Sequence, residues 1–177
     1  MTTIYKLTDQ NMQTHNGYQW ALGETRTASG EGDLCGPGFL HGYTDPLLAV
    51  LLNPIHANIT NPRLFRGEGT VAKTDHGLKI GCTEMTLTEE MEPPAINTVQ
   101  RVAFGILCAK EINKDEAWGK WADDWLSGKD RTEAAAWAAA EAAAWAAAEA
   151  EAEAAAAAAA EADIDLIAIA HKAMEAT

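Results

Sequence analysis

The sequence has little positive charge, few cysteines and no long apolar segment. Its 177 residues hold 13 Lys and Arg against 26 Asp and Glu, a net charge of −13, which argues against a surface that tracks nucleic-acid phosphates. Cys35, Cys82 and Cys108 lack CxxC spacing, so neither a zinc knuckle nor a disulfide framework is indicated. We expect no membrane span or signal peptide, because no stretch reaches roughly 18 apolar residues and MTTIYKLTDQ has no basic start.

The amino-acid composition changes along the chain and predicts three parts. Residues 1–128 have the composition of a compact α+β domain, whereas residues 129–162 are mostly alanine interrupted by Glu and Trp. Ten acidic side chains against Arg131 and Lys172 give residues 130–177 a net charge of −8. We therefore predict a domain over 1–128, a long alanine-rich helix over 129–162, and a short amphipathic docking or oligomerisation helix over 163–177.

The first part predicts a small antiparallel sheet with packed helices. IYKLT alternates like a half-buried strand, and RLFRGEGTVAK, GLKIGC and TEMTLTEE are typical of successive strands, with a turn at residues 75–77. Asp45 and Pro46 are typical of a helix N-cap and first residue, and Asn53-Pro54 is expected to end that helix. INTVQRVAFGILCAKEI predicts another helix, capped by Asn97 or Thr98.

Six tryptophans are unusual for a chain of this length, and five of them fall on predicted helices. Trp118, Trp121 and Trp125 share one stripe of a helix that Gly128 should end, and this stripe is either core or a partner surface. In the alanine tract, bulky residues recur every four positions, which favours self-association or packing back on the domain, with a solvated spacer as the alternative. The candidate interface residues are Trp137, Trp145, Ile164 and Ile167.

The stretch CGPGFLHGYTDP, residues 35–46, concentrates groups that can contact a ligand. Its glycines would let backbone N–H groups approach a phosphate at the start of the next helix. The candidate ligand-binding residues are Gly36, Gly38, His41, Tyr43 and His56. The alternative is structural: tight turns, two buried hydrogen-bonding histidines and a core tyrosine.

Metal binding and thiol chemistry are not expected at this stretch. A straight helix over DPLLAVLLN would hold His41 and His56 more than about 12 Å apart, so the two imidazoles should not share a metal. Cys35 has no Lys or Arg close in sequence to activate its thiol.

Three segments carry a family resemblance: LCGPGFLHGYTDPLLAVLLNPIHANITNPRLFRGEGTVAKTDHGLKIGC, TVQRVAFGILCAKEI and WADDWLSGKDR. They resemble an uncharacterised family of small proteins from tailed bacteriophages and prophages, whose members join a CGPGxxHxYxxPLLAVLxNPIHA-like motif to an alanine-rich tail. The resemblance implies a phage origin, action in the host bacterial cytoplasm and a role dispensable to virion building. It also implies an inhibitor of host defence.

We therefore expect an accessory protein that acts by binding rather than catalysis, without cofactor or metal. Its expected partner is a host protein or defence complex with a basic face, with no direct nucleic-acid contact and a possible homo-oligomer through the C-terminal helices. One alternative is a sponge whose CGPGFLHGY loop holds a nucleotide signal. Another is an NAD-using enzyme, because the order of a strand with Tyr5 and Lys6, a glycine-rich loop and a helix is similar to ADP-ribosyltransferase-like domains; its candidate glutamates are Glu84 and Glu89.

Overall fold

The computed structural model describes residues 1–75, 77–131 and 164–177, which combine an antiparallel sheet with several helices. The chain divides into two compact units, Met1–Ala95 and Ile96–Thr177. This division differs from the predicted domain boundary near residue 128, because Pro93 and Pro94 follow the last strand and the next helix packs with the C-terminal helix. The predicted alanine-rich helix, with Trp137 and Trp145, falls almost wholly outside the described residues.

The N-terminal unit contains a five-stranded sheet and a separate two-stranded one. The first sheet has the order β1-β6-β7-β4, and β5 also pairs with β7. Its strands are β1 (Thr2–Thr8), β4 (Thr25–Thr27), β5 (Leu40–Gly42), β6 (Arg63–Asp75) and β7 (Lys79–Met91). The second sheet pairs β2 (Gln13–Thr14) with β3 (Tyr18–Gln19).

The antiparallel hairpin of β6 and β7 is the longest feature of this unit. The sequence predicts two strands after the turn, GLKIGC and TEMTLTEE. The structure joins them in the single strand β7, because the junction at Cys82 and Thr83 contains no turn-forming residue. Within the predicted turn, the Leu78 N–H donates to the Asp75 carbonyl at 2.6 Å and Gly77 has φ of 86°. His76 lies outside the described residues.

Two short helices follow β5 where the sequence predicts one. Helix α1 spans Pro46–Leu51, and the Asp45 side chain accepts from the Leu47 N–H, which confirms the predicted cap. Helix α1 ends at Leu51, just before Asn53-Pro54, as the sequence predicts. A second helix, α2 (Asn53–His56), begins there with Pro54 in its first turn, where a missing N–H costs no hydrogen bond. The backbone therefore bends at Leu52, and His56 leaves the axis of α1.

Alternating side chains of the strands build the core of this unit. The central cluster contains large apolar residues from β1, β5, β6 and β7, among them Ile4, Phe65, Met85 and Leu87. Trp20 joins them at 2 % exposure, with its indole N–H donating to Thr14 Oγ1 at 3.0 Å. Burial of these side chains supplies roughly 1.5–3 kcal/mol each.

The second unit contains three described helices. They are α3 (Thr98–Ile112), α4 (Glu116–Leu126) and α5 (Leu166–Ala173). Asn97 and Gln100 form a capping box at the start of α3, as the sequence predicts for Asn97. Of the tryptophan stripe on α4, Trp125 is buried, whereas Trp118 and Trp121 are half-buried.

The sequence predicts one apolar side of α5 from Ile164, Ile167, His171 and Met174, with Leu166 beside them, but the structure buries a different stripe. Leu166, Ile169, Ala170 and Ala173 are buried, whereas Ile167 is half-buried and His171 is exposed. Helix α3 packs against α5, and small alanines let the two backbones approach closely. Ile164 and Ile167 consequently keep part of their surface accessible.

Gly38 provides a test of the loop that leads into β5. A Cβ at this position would lie 1.9 Å from the Glu31 carbonyl oxygen, so Gly38→Ala must displace backbone and should lower the free energy of unfolding by roughly 2–4 kcal/mol. Urea denaturation followed by β6 and β7 amide resonances measures the loss. Gly42→Ala is the control, because its nearest atom is the terminal methyl of Met85 at 3.2 Å. Equal losses for both variants would contradict the explanation.

Candidate functional site

A cavity of about 380 Å³ opens in the N-terminal unit between β1, β5, the start of β7 and the helix α2. This volume lies within the range of small-molecule sites. The side chains that line it are Lys6, Leu7, Thr14, His15, Cys35, His41, Tyr43, Asn53, His56, Ala57, Ile59 and Lys79. Two of these twelve residues are Lys, three are His and none is Asp or Glu, so the lining has no negative side chain and favours an anion over a cation.

Lys6 is the most deeply buried basic residue of the lining. It is 8 % exposed, its Nζ donates to the His41 carbonyl at 2.5 Å, and it lies 4.7 Å from the centre of the Trp20 ring. Burial lowers the pKa of the Lys6 ammonium to about 8, and this loss of hydration outweighs the nearby Cys82 sulfur, which acts in the other direction. Near neutral pH the amine and the ammonium are therefore both accessible states.

His41 lies on β5 with its ring directed to the loop before it. Its Nε2 hydrogen-bonds the Leu34 carbonyl, and burial lowers its pKa in spite of that bond, with the Lys6 and Lys79 charges adding to the effect. The ring is therefore neutral at physiological pH and donates a hydrogen through Nε2.

Tyr43 and His56 form a second element of the wall. The Tyr43 hydroxyl and His56 Nδ1 are 2.8 Å apart, and the two rings stack with their centres separated by 5.9 Å and their planes inclined by 13°. Burial, followed by the charge of Lys79, lowers the pKa of His56 to about 4. A neutral His56 can accept the Tyr43 hydroxyl hydrogen at Nδ1, which fixes the orientation of both rings.

Backbone pairing supports this wall. Tyr43 and Tyr5 exchange two backbone hydrogen bonds of 2.8 and 2.9 Å, which join the end of β5 to β1. The Asn53 side chain donates to the Ile59 carbonyl and accepts from the Ile59 N–H, each at 3.0 Å, and thereby closes the loop after α2. Residues from three separate segments are thus held around one opening.

Outside the cavity, the N-terminal unit is acidic and its arginines form ion pairs. The N-terminal unit has eleven Asp and Glu against six Lys and Arg, and its three arginines pair with glutamates: Arg26 with Glu24, Arg63 with Glu90 and Arg66 with Glu89. No salt bridge recorded among the described residues involves Lys6 or Lys79. Within the described part of the chain, Lys6 and Lys79 on the cavity wall therefore keep a charge that no recorded carboxylate partner neutralises, as does the exposed Lys73 outside the cavity.

The structure brings together three of the five candidate ligand-binding residues. His41, Tyr43 and His56 all line the cavity. Gly36 and Gly38 do not line it. The Gly36 N–H donates to Asp33 within a turn, and Gly38 packs against the backbone of Glu31, so both glycines shape the loop.

Sequence reasoning missed Lys6, Lys79 and His15 as part of this site. Ile4, Lys6 and Thr8 occupy one face of β1 and all three are buried; a lysine in phase with buried residues of a strand is a signal that could have been used. Lys79 at the start of β7 carries no comparable signal, because only the pairing of β5 with β7 brings it to the cavity.

Other chemistry receives less support from the described residues. Within residues 1–75, 77–131 and 164–177, no group of three His, Cys, Asp or Glu side chains could hold a metal ion. In the same ranges no helix has the length and apolar character needed to cross a bilayer. Glu84 and Glu89, the candidate glutamates of an NAD-using enzyme, do not line the cavity; Glu84 accepts from Thr70 and Glu89 pairs with Arg66.

Comparison with protein families places the cavity within a defined domain. A family model described as Domain of unknown function (DUF7666) matches residues 2–98, more than half of the chain. The chain belongs to the DUF7666 family. The matched residues include the whole cavity lining and nearly all of the N-terminal unit. Searches of curated proteins and of solved structures gave no match.

The low pKa of His56 predicts an acid-sensitive DUF7666 domain. Because His56 titrates near 6.5 when unfolded and at about 4 when folded, the unfolded state binds more protons between these values, and stability falls as the pH drops through that window. We expect a loss of about 1 kcal/mol between about pH 7.5 and pH 5, after allowing for the partial exposure of the ring.

Urea denaturation at the two pH values, read from β6 and β7 amide resonances, measures this loss. His56→Gln should reduce the pH dependence, whereas His15→Gln, which changes an exposed histidine of the same cavity, should retain it. An unchanged pH dependence in His56→Gln would contradict the assignment.

Proposed function

We propose that the DUF7666 domain of this chain is a binding module for a small anionic ligand, with a nucleotide or another phosphate-bearing signal as its ligand class. The observation that carries the proposal is the concentration of Lys6, Lys79 and three histidines around one cavity of an otherwise acidic unit. Binding, rather than turnover, is the activity that this lining supports, because it supplies hydrogen-bond donors and positive charge without a carboxylate base.

The energetics of the lining favour an anion of small size. Lys79 contributes a cationic side chain to the opening, and neutral His56, which accepts from Tyr43 at Nδ1, carries its hydrogen on Nε2 as a donor, whereas the Nε2–H of His41 is already bonded to the Leu34 carbonyl. A hydrogen bond to a charged group contributes roughly 1.5–3 kcal/mol, so two or three such bonds contribute roughly 3–9 kcal/mol before the cost of ordering the ligand is subtracted. A cavity of about 380 Å³ accommodates a mononucleotide-sized molecule.

The sequence resemblance supplies a biological setting for this proposal. We infer a phage-encoded accessory protein that acts in the host bacterial cytoplasm and sequesters a nucleotide signal of a defence system. What supports this setting is the motif of residues 35–57 and the alanine-rich tail alone. Direct inhibition of a host defence protein is the alternative. Denaturing the purified protein from infected and uninfected cells, and identifying the released small molecules by mass spectrometry, distinguishes them: a bound nucleotide supports sequestration, and an empty protein contradicts it.

The C-terminal residues add a separate proposal about assembly. Ile164 and Ile167 keep partly accessible apolar surface next to the buried face of α5, and this supports their predicted role in a homo-oligomer together with Trp137 and Trp145. Light scattering of the full chain measures the stoichiometry, and a monomer at all concentrations would contradict the proposal.

Replacement of Lys79 tests the anion site directly. We expect Lys79→Gln to weaken the binding of AMP, GMP and inorganic phosphate by about tenfold or more, because it removes one charged hydrogen-bond donor from the opening. Isothermal titration calorimetry at low ionic strength measures the change. Arg66→Gln is the matched control, since it removes the same charge from the exposed face of β6, outside the cavity. Equal weakening by both variants, or no binding to the native protein, would overturn the proposal.

A further inference from the structure

Lys6 is the one lysine of the N-terminal unit that combines deep burial with a position on the cavity wall. Lys73 is exposed and its Nζ donates to the Gly32 carbonyl at 2.6 Å, and Lys79 is half-buried at the opening. Lys6 is 8 % exposed and lines the cavity. Its surroundings therefore differ from those of the other two amines of the unit.

The contacts of Lys6 are unusual for a charged side chain. Its Nζ donates to one backbone carbonyl, that of His41, and lies over Trp20; no recorded salt bridge among the described residues includes it. Buried ammonium groups are normally paired with a carboxylate. A neutral amine that gives one hydrogen to His41 keeps its lone pair and its second hydrogen for a ligand.

We propose that Lys6 is a covalent attachment site, where the amine forms an imine with an aldehyde or ketone that also carries an anionic group. The inference rests on the anion site proposed above, because Lys79 and the histidines are the groups that would hold the ligand's negative charge while its carbonyl carbon meets Lys6. It goes further in assigning a reactive atom and a chemical class to that ligand.

The reaction balances without an oxidant or a reductant. The lone pair of Lys6 Nζ forms a bond to the carbonyl carbon, the carbonyl π electrons move to oxygen, and a proton passes from nitrogen to oxygen to give a carbinolamine. The hydroxyl then takes up a proton and leaves as water while the nitrogen lone pair forms the C=N bond, and the resulting iminium loses its N–H proton to give the imine. The net change is amine plus carbonyl compound to imine plus water.

The supply of nucleophile supports this chemistry near neutral pH. With a pKa of about 8, Lys6 holds at pH 7 a fraction of free amine about a hundredfold larger than an ordinary lysine with a pKa near 10.4. The Cys82 thiol does not compete with Lys6 as a nucleophile, because burial raises the pKa of Cys82 to about 11 and keeps it protonated.

Reductive trapping on the full chain tests the proposal. The protein is incubated with pyridoxal 5′-phosphate, an aldehyde that carries a phosphate, and with sodium cyanoborohydride, and the modified lysine is located by peptide mass spectrometry. We expect labelling at Lys6 to exceed that at Lys73 by at least about tenfold and to increase as the pH rises through about 8. Pyridoxal, which has the aldehyde without the phosphate, should label Lys6 far less.

Two variants separate the covalent step from anion binding. Lys6→Arg retains a positive charge but removes the primary amine, so the variant should form no adduct at position 6. Peptide mapping of the native protein already locates the labelled lysine, so the assignment to Lys6 does not depend on whether this variant folds. Lys79→Gln should reduce labelling at Lys6 by weakening the hold on the phosphate while leaving the amine in place.

The outcomes differ for the two proposals. Labelling confined to Lys73, Lys79 or the lysines of the second unit, or no labelling at all, overturns the covalent site. If reversible binding of AMP, GMP or inorganic phosphate is measured in that case, the anion site stands and only the covalent step fails. Absence of both reversible binding and Lys6 labelling overturns both. If an adduct forms at Lys6 and excess inorganic phosphate suppresses it, the covalent site and the anion site are both supported.

Discussion

The long hairpin formed by β6 and β7 determines where the other strands of the five-stranded sheet can lie. β1 pairs with β6, and β4 and β5 both pair with β7. The register of these pairs places Lys6 opposite Phe65, and His41 opposite Gly81. A Cβ at Gly81 would lie 2.5 Å from Leu34 Cδ1, so a larger residue there would force the Leu34 side chain to move. The cavity is therefore a consequence of strand pairing rather than of the glycine-rich loop itself.

A buried lysine makes this arrangement costly. Lowering the pKa of Lys6 from 10.5 to about 8 corresponds to about 3 kcal/mol of destabilisation at neutral pH, where the unfolded chain holds its proton more tightly. That amount is a large part of the total stability of a small domain, about 5–15 kcal/mol. An apolar residue in the same position would avoid the cost, so the buried amine is better explained by a role at the cavity than by stability.

Local signals in the sequence predict much of the fold and little of the site. The caps at Asp45 and Asn97, the strand β1 and the helix α3 follow from short-range chemistry and are confirmed, although β1 is buried on both faces at Lys6–Thr8 rather than alternating. The continuity of β7 and the bend between α1 and α2 were missed, because each depends on pairing or packing with distant residues. His41 and His56 were candidate site residues, whereas Lys6 and Lys79, which strand pairing brings to the same cavity, were not expected there.

The distance between a ligand's negative charge and Lys6 Nζ decides whether Lys6 acts as a neutral nucleophile or as a cation that binds the anion. An anion about 4 Å from Nζ stabilises the ammonium by about 4 kcal/mol at an effective dielectric constant near 20, which would return the pKa of Lys6 to the ordinary range or above it and suppress its nucleophilicity. An anion held at the opening by Lys79 has a much weaker effect, since the interaction falls with distance and Lys79 neutralises part of it. A ligand that reacts with Lys6 therefore has to separate its carbonyl carbon from its anionic group by several bonds, whereas a compact anion such as inorganic phosphate can only bind reversibly.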